Sequence, residues 1–262
     1  MKRSAWLLCV LLAAGTARAG TELTIETRKA GAEASAKPQR GVVEIEGRRL
    51  RAEGGNGRHG AIWRGEEGVL QILDHREKSV FRIDRATARE VAGAREGIRE
   101  GVAGLPDAPR EAIERWVGGE PPARVELRPS GKSGEVSGVA CRLLEAFRNG
   151  VRLAEVCEGP RGAAGVPPEA LATARELAKF IAEVGDLLPP SMSAEGLDAL
   201  VLVERVEGVP LRVRAWPKGQ PATETRLVGA APKRFAADRF QPPAGYEPGV
   251  GIRIGEPAPP PP

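Results

Sequence analysis

The sequence predicts an α+β protein whose antiparallel strands are interrupted by helices. Alternating apolar and polar residues form paired strand patterns over residues 21–83. A capping box and a later apolar stripe predict helices that begin near Thr87 and Pro168. Strand patterns return over residues 123–159 and again after the second helix, so that strands come before, between and after the helices.

Residues 1–19 have the pattern of a secretory signal peptide. Lys2 and Arg3 precede an apolar run of about a dozen residues, and Ala17-Arg18-Ala19 supplies the small residues of a cleavage site. The run is too short to span a bilayer, and Cys9 lies inside it rather than at the cleavage point, which argues against a lipoprotein. We expect cleavage near Ala19 and a periplasmic or secreted protein.

The charge pattern argues against nucleic acid as a partner. Loss of the leader removes three of the four excess positive charges. Acids and bases alternate over the rest, whereas nucleic-acid-binding proteins concentrate basic residues on one face. No second long apolar run follows, so we expect no transmembrane segment in the mature chain. Residues 20–255 are expected to form a single domain and the proline-rich residues 256–262 a disordered tail; the oligomeric state stays open.

Two β-hairpins are predicted before the first helix. The first turns at Gly47-Arg48, so that Ile45 faces Leu50 and opposite charges face one another on the other side. The second closes on residues 75–78 and places two apolar pairs on one face of the sheet, Leu70 with Ile83 and Ile72 with Phe81.

A weak helix is predicted after the second hairpin. Thr87 and Glu90 form its capping box. Gly93, Gly97 and Gly101 each lower helix stability by up to ~1 kcal/mol relative to alanine. We therefore interpret residues 93–101 as a candidate mobile lid. A short second helix is predicted over residues 107–117.

The two cysteines that remain after cleavage are expected to form a disulfide, because exported proteins fold in an oxidising compartment. Asn149-Gly150 predicts a hairpin turn between the strands that carry them. A three-residue loop over residues 148–150 sets Cys141 opposite Cys157, at a separation that a disulfide can bridge. A two-residue turn shifts the register by one, and we predict the three-residue loop.

Residues 166–188 have the clearest helix pattern of the chain. Pro168 lies in the first turn, and an apolar stripe follows at helical spacing, formed by Leu171, Ala174, Leu177, Ile181, Val184 and Leu188. Further strands are predicted over residues 198–216, 223–229 and 233–240.

Residues 55–60 match the G-x-G-x-x-G pattern of dinucleotide-binding folds. In those folds a helix follows, so that the pyrophosphate lies at its N-terminus. Residues 61–73 instead continue as strand. We interpret the glycines as a reversal that sets Ala52 near Ala61, with Arg58 and His59 at the tip, and we expect no nucleotide cofactor.

No other motif indicates catalysis or a metal. Residues 130–134 resemble a phosphate-binding loop, but Glu126 occupies a position where that loop requires glycine, so a polar loop is expected. The two histidines, His59 and His75, are predicted in solvated loops and lack the neighbouring motifs of a hydrolase or zinc site. We expect no catalytic residue, no cofactor and no metal.

An apolar ligand site is the remaining functional hypothesis. Its candidate wall comes from the second hairpin and the helix at 166–188, namely Leu70, Ile72, Phe81, Ile83, Leu177, Phe180, Ile181 and Val184. These side chains either pack on one another as ordinary core or line a gap between a curved sheet and a helical lid that admits an acyl chain.

Several motifs resemble an uncharacterised exported family of the LolA/LolB-like lipoprotein-carrier superfamily. They are a strand–aspartate–turn–strand at Asp74, a Gly-x-x-Cys strand at Gly138 to Cys141, and a closing Phe240 with Pro243 to Tyr246. The resemblance covers most of residues 20–247. It implies a curved antiparallel sheet, a half-open barrel, with helices covering the concave face.

The same resemblance implies a non-catalytic periplasmic binding protein whose partner is a lipid, an acyl chain or a lipoprotein. The cavity would lie between the sheet and the helical lid. The alternative from the residues alone is an envelope protein-interaction or assembly module with a solid core and no ligand.

Overall fold

Twelve strands form a single open sheet in the computed structural model, which describes residues 19–29, 37–55, 57–107, 125–185, 202–216 and 221–249. In chain order they are β1 (Gly20–Lys29), β2 (Gln39–Glu46), β3 (Arg49–Glu53), β4 (His59–Arg64), β5 (Val69–Asp74), β6 (Ser79–Ile83), β7 (Glu126–Val136), β8 (Val139–Arg148), β9 (Val151–Gly159), β10 (Val209–Ala215), β11 (Thr223–Lys233) and β12 (Glu247–Pro248). The predicted leader, except Ala19, and the proline-rich tail lie outside the described residues.

The strands follow the order β12-β6-β5-β4-β3-β2-β1-β11-β10-β9-β8-β7. Neighbours are antiparallel, as predicted, except that β12 runs parallel to β6. The sheet therefore consists of two series of sequential strands, β1–β6 and β7–β11, which meet where β1 pairs with β11. The described residues therefore form mostly one large, mixed, open sheet with few helices, and the covering of its concave face by helices stays a prediction.

The hairpin registers predicted in the first half are confirmed. Ile45 pairs with Leu50 across a turn in which Gly47 has a φ of +58°. Ala52 pairs with Ala61, so the glycine-rich segment reverses the chain between β3 and β4. In the next hairpin the two predicted apolar pairs also form, Leu70 with Ile83 and Ile72 with Phe81.

The predicted loop between β8 and β9 was wrong, although the disulfide is present. Asn149 and Gly150 form a two-residue turn with φ values of +51° and +76°. Two-residue hairpin turns with positive φ at both positions prefer Asn-Gly. A register shift near Ala146 then sets Leu143, not Cys141, opposite Cys157. Cys141 lies two residues from Leu143 on the same face, so the Cα atoms of the cysteines are 5.4 Å apart and the disulfide joins diagonal neighbours.

In the described part of the chain, two long α-helices accompany the sheet, α1 (Arg85–Val102) and α2 (Pro168–Gly185), with a short 3₁₀ turn at Ala163–Gly165 and one helical turn at 202–205. The predicted start of α1 at Thr87 was wrong, because Asp84 is the N-cap and accepts hydrogen bonds from the backbone N–H groups of Ala86 and Thr87. Apart from Asp107, the predicted helix at 107–117 lies outside the described residues, as does Leu188. No helix among those described is long and apolar enough to cross a membrane.

Three strand and loop predictions in the second half were also wrong. Residues 202–205 are helical, because Leu202 and Val206 lie one turn apart and are buried in the same cluster. Residues 234–240 leave the sheet, because Phe235 and Phe240 pack on its surface instead of entering a strand ladder. Residues 130–134 belong to β7, where a bulge lies between Pro129 and Ser133.

Apolar clusters cover both faces of β4 and β5. On one face Trp63 and Leu70 share a cluster with the apolar stripe of α2. On the other face Ile62 and Leu73 pack against Phe240 of the C-terminal segment. This double burial accounts for the nearly continuous apolar run of β5.

Candidate functional site

The eight candidate wall residues belong to one apolar cluster. Six are at most 5% exposed, and Ile72 and Phe81 pack against the same cluster while partly buried. The rings of Trp63 and Phe180 have centroids 4.7 Å apart and join β4 to α2. The structure therefore brings these residues together in mutual contact, and their contact with a ligand stays a prediction.

A pocket of about 360 Å³ opens beside this cluster, at the seam between α2 and the start of the sheet. It is partly open to solvent and is lined by Ala19, Gly20, Thr21, Ile45, Gly47, Arg48, Glu169, Ala170, Ala172, Thr173 and Glu176. None of the eight predicted wall residues lines it. Ile45 and Ala170 belong both to its lining and to the buried cluster, so the floor of the pocket is continuous with the core.

An ion pair between the β2–β3 turn and α2 forms one side of the pocket. Arg48 donates to Glu176 through Nε at 3.1 Å and also through a terminal nitrogen, which donates in addition to the carbonyl of Gly65 at 3.1 Å. The hydrogen bond and charge of Glu176 raise the pKa of Arg48 further above its already high value. Because both side chains are substantially exposed, an anionic ligand group could compete for Arg48.

Two small residues of α2, Ala172 and Thr173, line the side of the pocket that faces the β2–β3 turn. The Thr173 hydroxyl donates to the carbonyl of Gly47 at 2.6 Å and also lies 3.1 Å from the carbonyl of Glu169. This contact ties α2 to the β2–β3 turn. Ala172, in contrast, is exposed and leaves the pocket open at its outer side.

A buried donor without a partner lies behind the Arg48–Glu176 pair. The indole nitrogen of Trp63 is buried and has no hydrogen-bond partner within the described part of the chain. A side chain on Gly65 would begin 2.9 Å from Glu176 Oε2 and 3.1 Å from this nitrogen, so both atoms lie beside Gly65. An unsatisfied buried N–H costs about 1–3 kcal/mol, which makes it available to an acceptor that moves into this position.

A second polar cluster lies at the opposite end of β3 and corrects the prediction for His75. Its ring is half-buried, with Nδ1 2.6 Å from the Tyr246 hydroxyl and Nε2 2.8 Å from Glu53. His75 lies in the β5–β6 turn, as predicted. Its side chain is not solvated, however, and belongs to a hydrogen-bonded network with Glu53 and Tyr246. His59, at the start of β4, remains largely exposed, 4.0 Å from Asp74.

The same end of the sheet does not assemble a metal centre. Within the described ranges, no three His, Cys, Asp or Glu side chains are grouped so that they could hold an ion. The absence of a metal, of a cofactor and of catalysis in the whole protein stays a prediction.

The pocket escaped the sequence analysis because its two sides are distant in sequence. Arg48 and Glu176 are 128 residues apart, and local periodicity contains no information about which helix turn meets which hairpin. Two features of the sequence indicated the pocket. They are the predicted Gly47-Arg48 turn and the small side chains of Ala172 and Thr173 on α2.

Comparison with known proteins assigns no family. No protein-family description matches the sequence, and no curated protein matches it. Among solved structures, PNGF-II in two crystal forms has a TM-score of 0.37 and 8% identity, covering 84% of this chain and 29% of PNGF-II. A LolA superfamily protein, NE2245 from Nitrosomonas europaea, has a TM-score of 0.29 and 8% identity over 86% of this chain and 90% of its own.

The chain thus spans less than a third of the length of PNGF-II. At these scores none of the three structures assigns a fold family or an activity. The resemblance to the lipoprotein-carrier superfamily continues to rest on the sequence motifs alone.

Proposed function

We propose that the chain is an exported, non-catalytic binding protein that holds a lipid or an acyl chain between the sheet and α2. One observation carries the proposal. A pocket of about 360 Å³ opens at the seam between these two layers, and its floor residues Ile45 and Ala170 continue into the apolar cluster. The motif resemblance to periplasmic carriers implies a cavity of the same general kind, between a half-open barrel and the helices that cover it.

Binding of an acyl chain between the sheet and α2 requires α2 to move away from part of the sheet. In the described residues, polar contacts hold α2 at four of its side chains. Glu176 pairs with Arg48, Glu183 pairs with Arg85, and Thr173 donates to the Gly47 carbonyl. Arg175 donates to the carbonyls of residues 206–208. Exposed ion pairs contribute little to stability. The main cost of opening is the exposure of apolar side chains, and an acyl chain would offset it by covering them.

The test is native mass spectrometry of protein purified from the periplasm of an expressing bacterium, with uptake of a fluorescent acyl probe by the same protein. We expect a co-purified lipid and saturable uptake. Phe81→Ser should weaken uptake, because movement of α2 would extend the pocket to Phe81, which packs against the cluster but does not line the pocket in the described structure. Val151→Ser, at an apolar residue 63% exposed at the β8–β9 turn, is the matched control. Absence of both lipid and uptake would overturn the proposal.

A second candidate is an envelope interaction module with a solid core. The mutual burial of the wall residues, six of them at most 5% exposed, favours it. If the core is solid, the backbone amide hydrogens of α2 should exchange with solvent as slowly as those of the central strands. Added lipid should then change neither exchange rate. The binding proposal predicts faster exchange in α2 and protection when lipid is added.

A further inference from the structure

The volume of the seam pocket suits one acyl chain. Its volume of about 360 Å³ lies at the lower end of the range of about 300–1,000 Å³ that small-molecule sites occupy. Such a volume fits a single acyl chain better than a lipid with two. The apolar floor at Ile45 and Ala170 supplies the surface that such a chain would contact.

The rim of the pocket contains charges of both signs. Arg48 is positive, and Glu169 and Glu176 are negative. Cleavage after Ala19, as the leader predicts, would remove Ala19 from the pocket lining and leave the α-ammonium group of Gly20, which also lines the pocket, in its place. Two cations would then face two carboxylates, an arrangement that is neutral overall.

We propose that this pocket binds a single-chain zwitterionic phospholipid. The acyl chain lies over Ile45 and Ala170, the phosphate contacts Arg48 and the N-terminal ammonium, and the ammonium of the head group contacts Glu169. This inference rests on the proposed function, since it names the site and the ligand class of the same binding activity.

An exchange of hydrogen bonds accompanies binding. Phosphate accepts the paired N–H groups of a guanidinium in the geometry that a carboxylate otherwise uses. The phosphate therefore displaces Glu176 from Arg48. The released Glu176 carboxylate lies beside Gly65, where the N–H of Trp63 lacks a partner, and accepts from it. Binding thus satisfies a donor that is buried and unpaired in the described structure.

The experiment compares three ligands with the same chain length, each below its micelle concentration: lysophosphatidylethanolamine, lysophosphatidylglycerol and the free fatty acid. Calorimetric titration of the mature chain, beginning at Gly20, should show the zwitterionic ligand binding about tenfold more tightly than either anion. Ala172→Trp fills the open side of the pocket and should abolish binding. Lys179→Trp, at another exposed position of α2, is the matched control and should bind as the unchanged protein does.

Two further measurements keep the test independent of a folding defect in Ala172→Trp. Arg48→Gln should weaken the zwitterionic ligand by about tenfold, with unfolding by urea unchanged within error. The indole N–H resonance of Trp63 should shift on binding, and that of Trp216 should not.

The outcomes separate this proposal from the proposed function. If the unchanged protein binds none of the three ligands and takes up no acyl probe, the proposed function fails. If it binds them and Ala172→Trp binds equally, the ligand lies elsewhere and the seam site is wrong. Equal affinity for all three head groups overturns the ligand class.

Discussion

The indole ring of Trp63 on β4 and the phenyl ring of Phe180 on α2 pack with centroids 4.7 Å apart and planes inclined by 42°. Both side chains are almost fully buried, and the guanidinium of Arg85 lies 5.6 Å from the centroid of Phe180. An aromatic pair of this kind contributes about 0.5–1.5 kcal/mol beyond its buried area. The attachment of α2 to the sheet therefore depends mainly on this apolar contact and less on the ion pairs at its margins.

Replacing Phe180 should destabilise the protein more than any surface change on α2. Phe180→Ala removes the ring from a packed site, and we expect a loss of about 3–5 kcal/mol in the free energy of unfolding. Phe180→Leu, which keeps much of the volume, should lose clearly less. Urea unfolding monitored by circular dichroism gives both values. A loss below about 1 kcal/mol for the alanine variant would mean that α2 contributes little to the folded core.

The disulfide between Cys141 and Cys157 should stabilise the fold although it joins diagonal neighbours. It spans 16 residues, for which restriction of the unfolded chain predicts about 3 kcal/mol. Unfolding of the unchanged protein should therefore become easier in the presence of dithiothreitol. The double variant Cys141→Ala/Cys157→Ala should show the lower stability with or without the reductant. Equal stability of oxidised and reduced protein would contradict this expectation.

Glu158 should make stability fall at acidic pH. Its side chain is only 2% exposed, and burial alone would raise its pKa. Hydrogen bonds from Arg142 and from the backbone N–H groups of Gly208 and Glu207, with the charge of Arg142, outweigh burial and lower the pKa. The resulting stability is fully present above the unfolded pKa of about 4.3 and is lost as the pH falls through the lower folded value.

The measurement for Glu158 is urea unfolding between pH 7 and pH 2.5. Glu158→Gln should be less stable at pH 7 by about 1–3 kcal/mol and should lose less stability on acidification than the unchanged protein. Part of the decline should remain, because hydrogen bonds also lower the pKa values of Asp74 and Asp84. Glu126→Gln, in an exposed pair with Arg128, serves as the control and should leave the profile unchanged.

Asp84 and Thr87 can be distinguished as the N-cap of α1. The Asp84 carboxylate accepts from the backbone N–H groups of Ala86 and Thr87 at 3.0 and 2.9 Å. Asp84→Ala should therefore cost the helix about 1 kcal/mol, whereas Asp84→Asn should keep most of it. Thr87→Ala should have the smaller effect. Amide hydrogen exchange over the first turns of α1 is the appropriate readout, and a larger effect at Thr87 would restore the capping box predicted from sequence.

Tyr246 should hold the C-terminal segment against the sheet through His75. The hydroxyl lies 2.6 Å from Nδ1 of the ring, and Tyr246→Phe should cost about 1 kcal/mol through loss of this hydrogen bond. The amides of Glu247 and Gly249, which donate to the carbonyls of Lys78 and Val80, should then exchange faster. Unchanged exchange at both amides would show that β12 holds the segment without Tyr246.

Local registers were predictable because turn chemistry and period-two burial agree. At Gly47-Arg48 a glycine that can adopt positive φ coincides with apolar pairs on one face, and the observed pairing of Ile45 with Leu50 follows. At Asn149-Gly150 the turn was also evident, but the bulge near Ala146 was not. A bulge changes the register without leaving a local pattern in the sequence, so the wrong loop and the right disulfide were predicted together.

Tertiary contacts account for the remaining differences. Leu202 and Val206 belong to an apolar run whose pattern predicts a strand. They form a helical turn instead, in which the Val206 amide donates to the Leu202 carbonyl and both side chains enter one buried cluster. Phe240 occupies a site formed by Ile62 and Leu73 on distant strands. The seam pocket likewise requires the β2–β3 turn to meet α2, a contact between residues 128 positions apart. Local patterns in one sequence contain no information about which distant residues come into contact.

The central position of β1 determines when the protein can finish assembling. Thr27 in β1 and Thr225 in β11 have hydroxyl oxygens 3.1 Å apart, although 198 positions separate them in the chain. Each half-sheet can form from neighbours in sequence, but the join must wait for nearly the whole chain. A chain that is synthesised from its N-terminus therefore leaves the long edge of β1 unpaired until β11 is present. The speed of that single encounter sets the period during which new copies are vulnerable to aggregation.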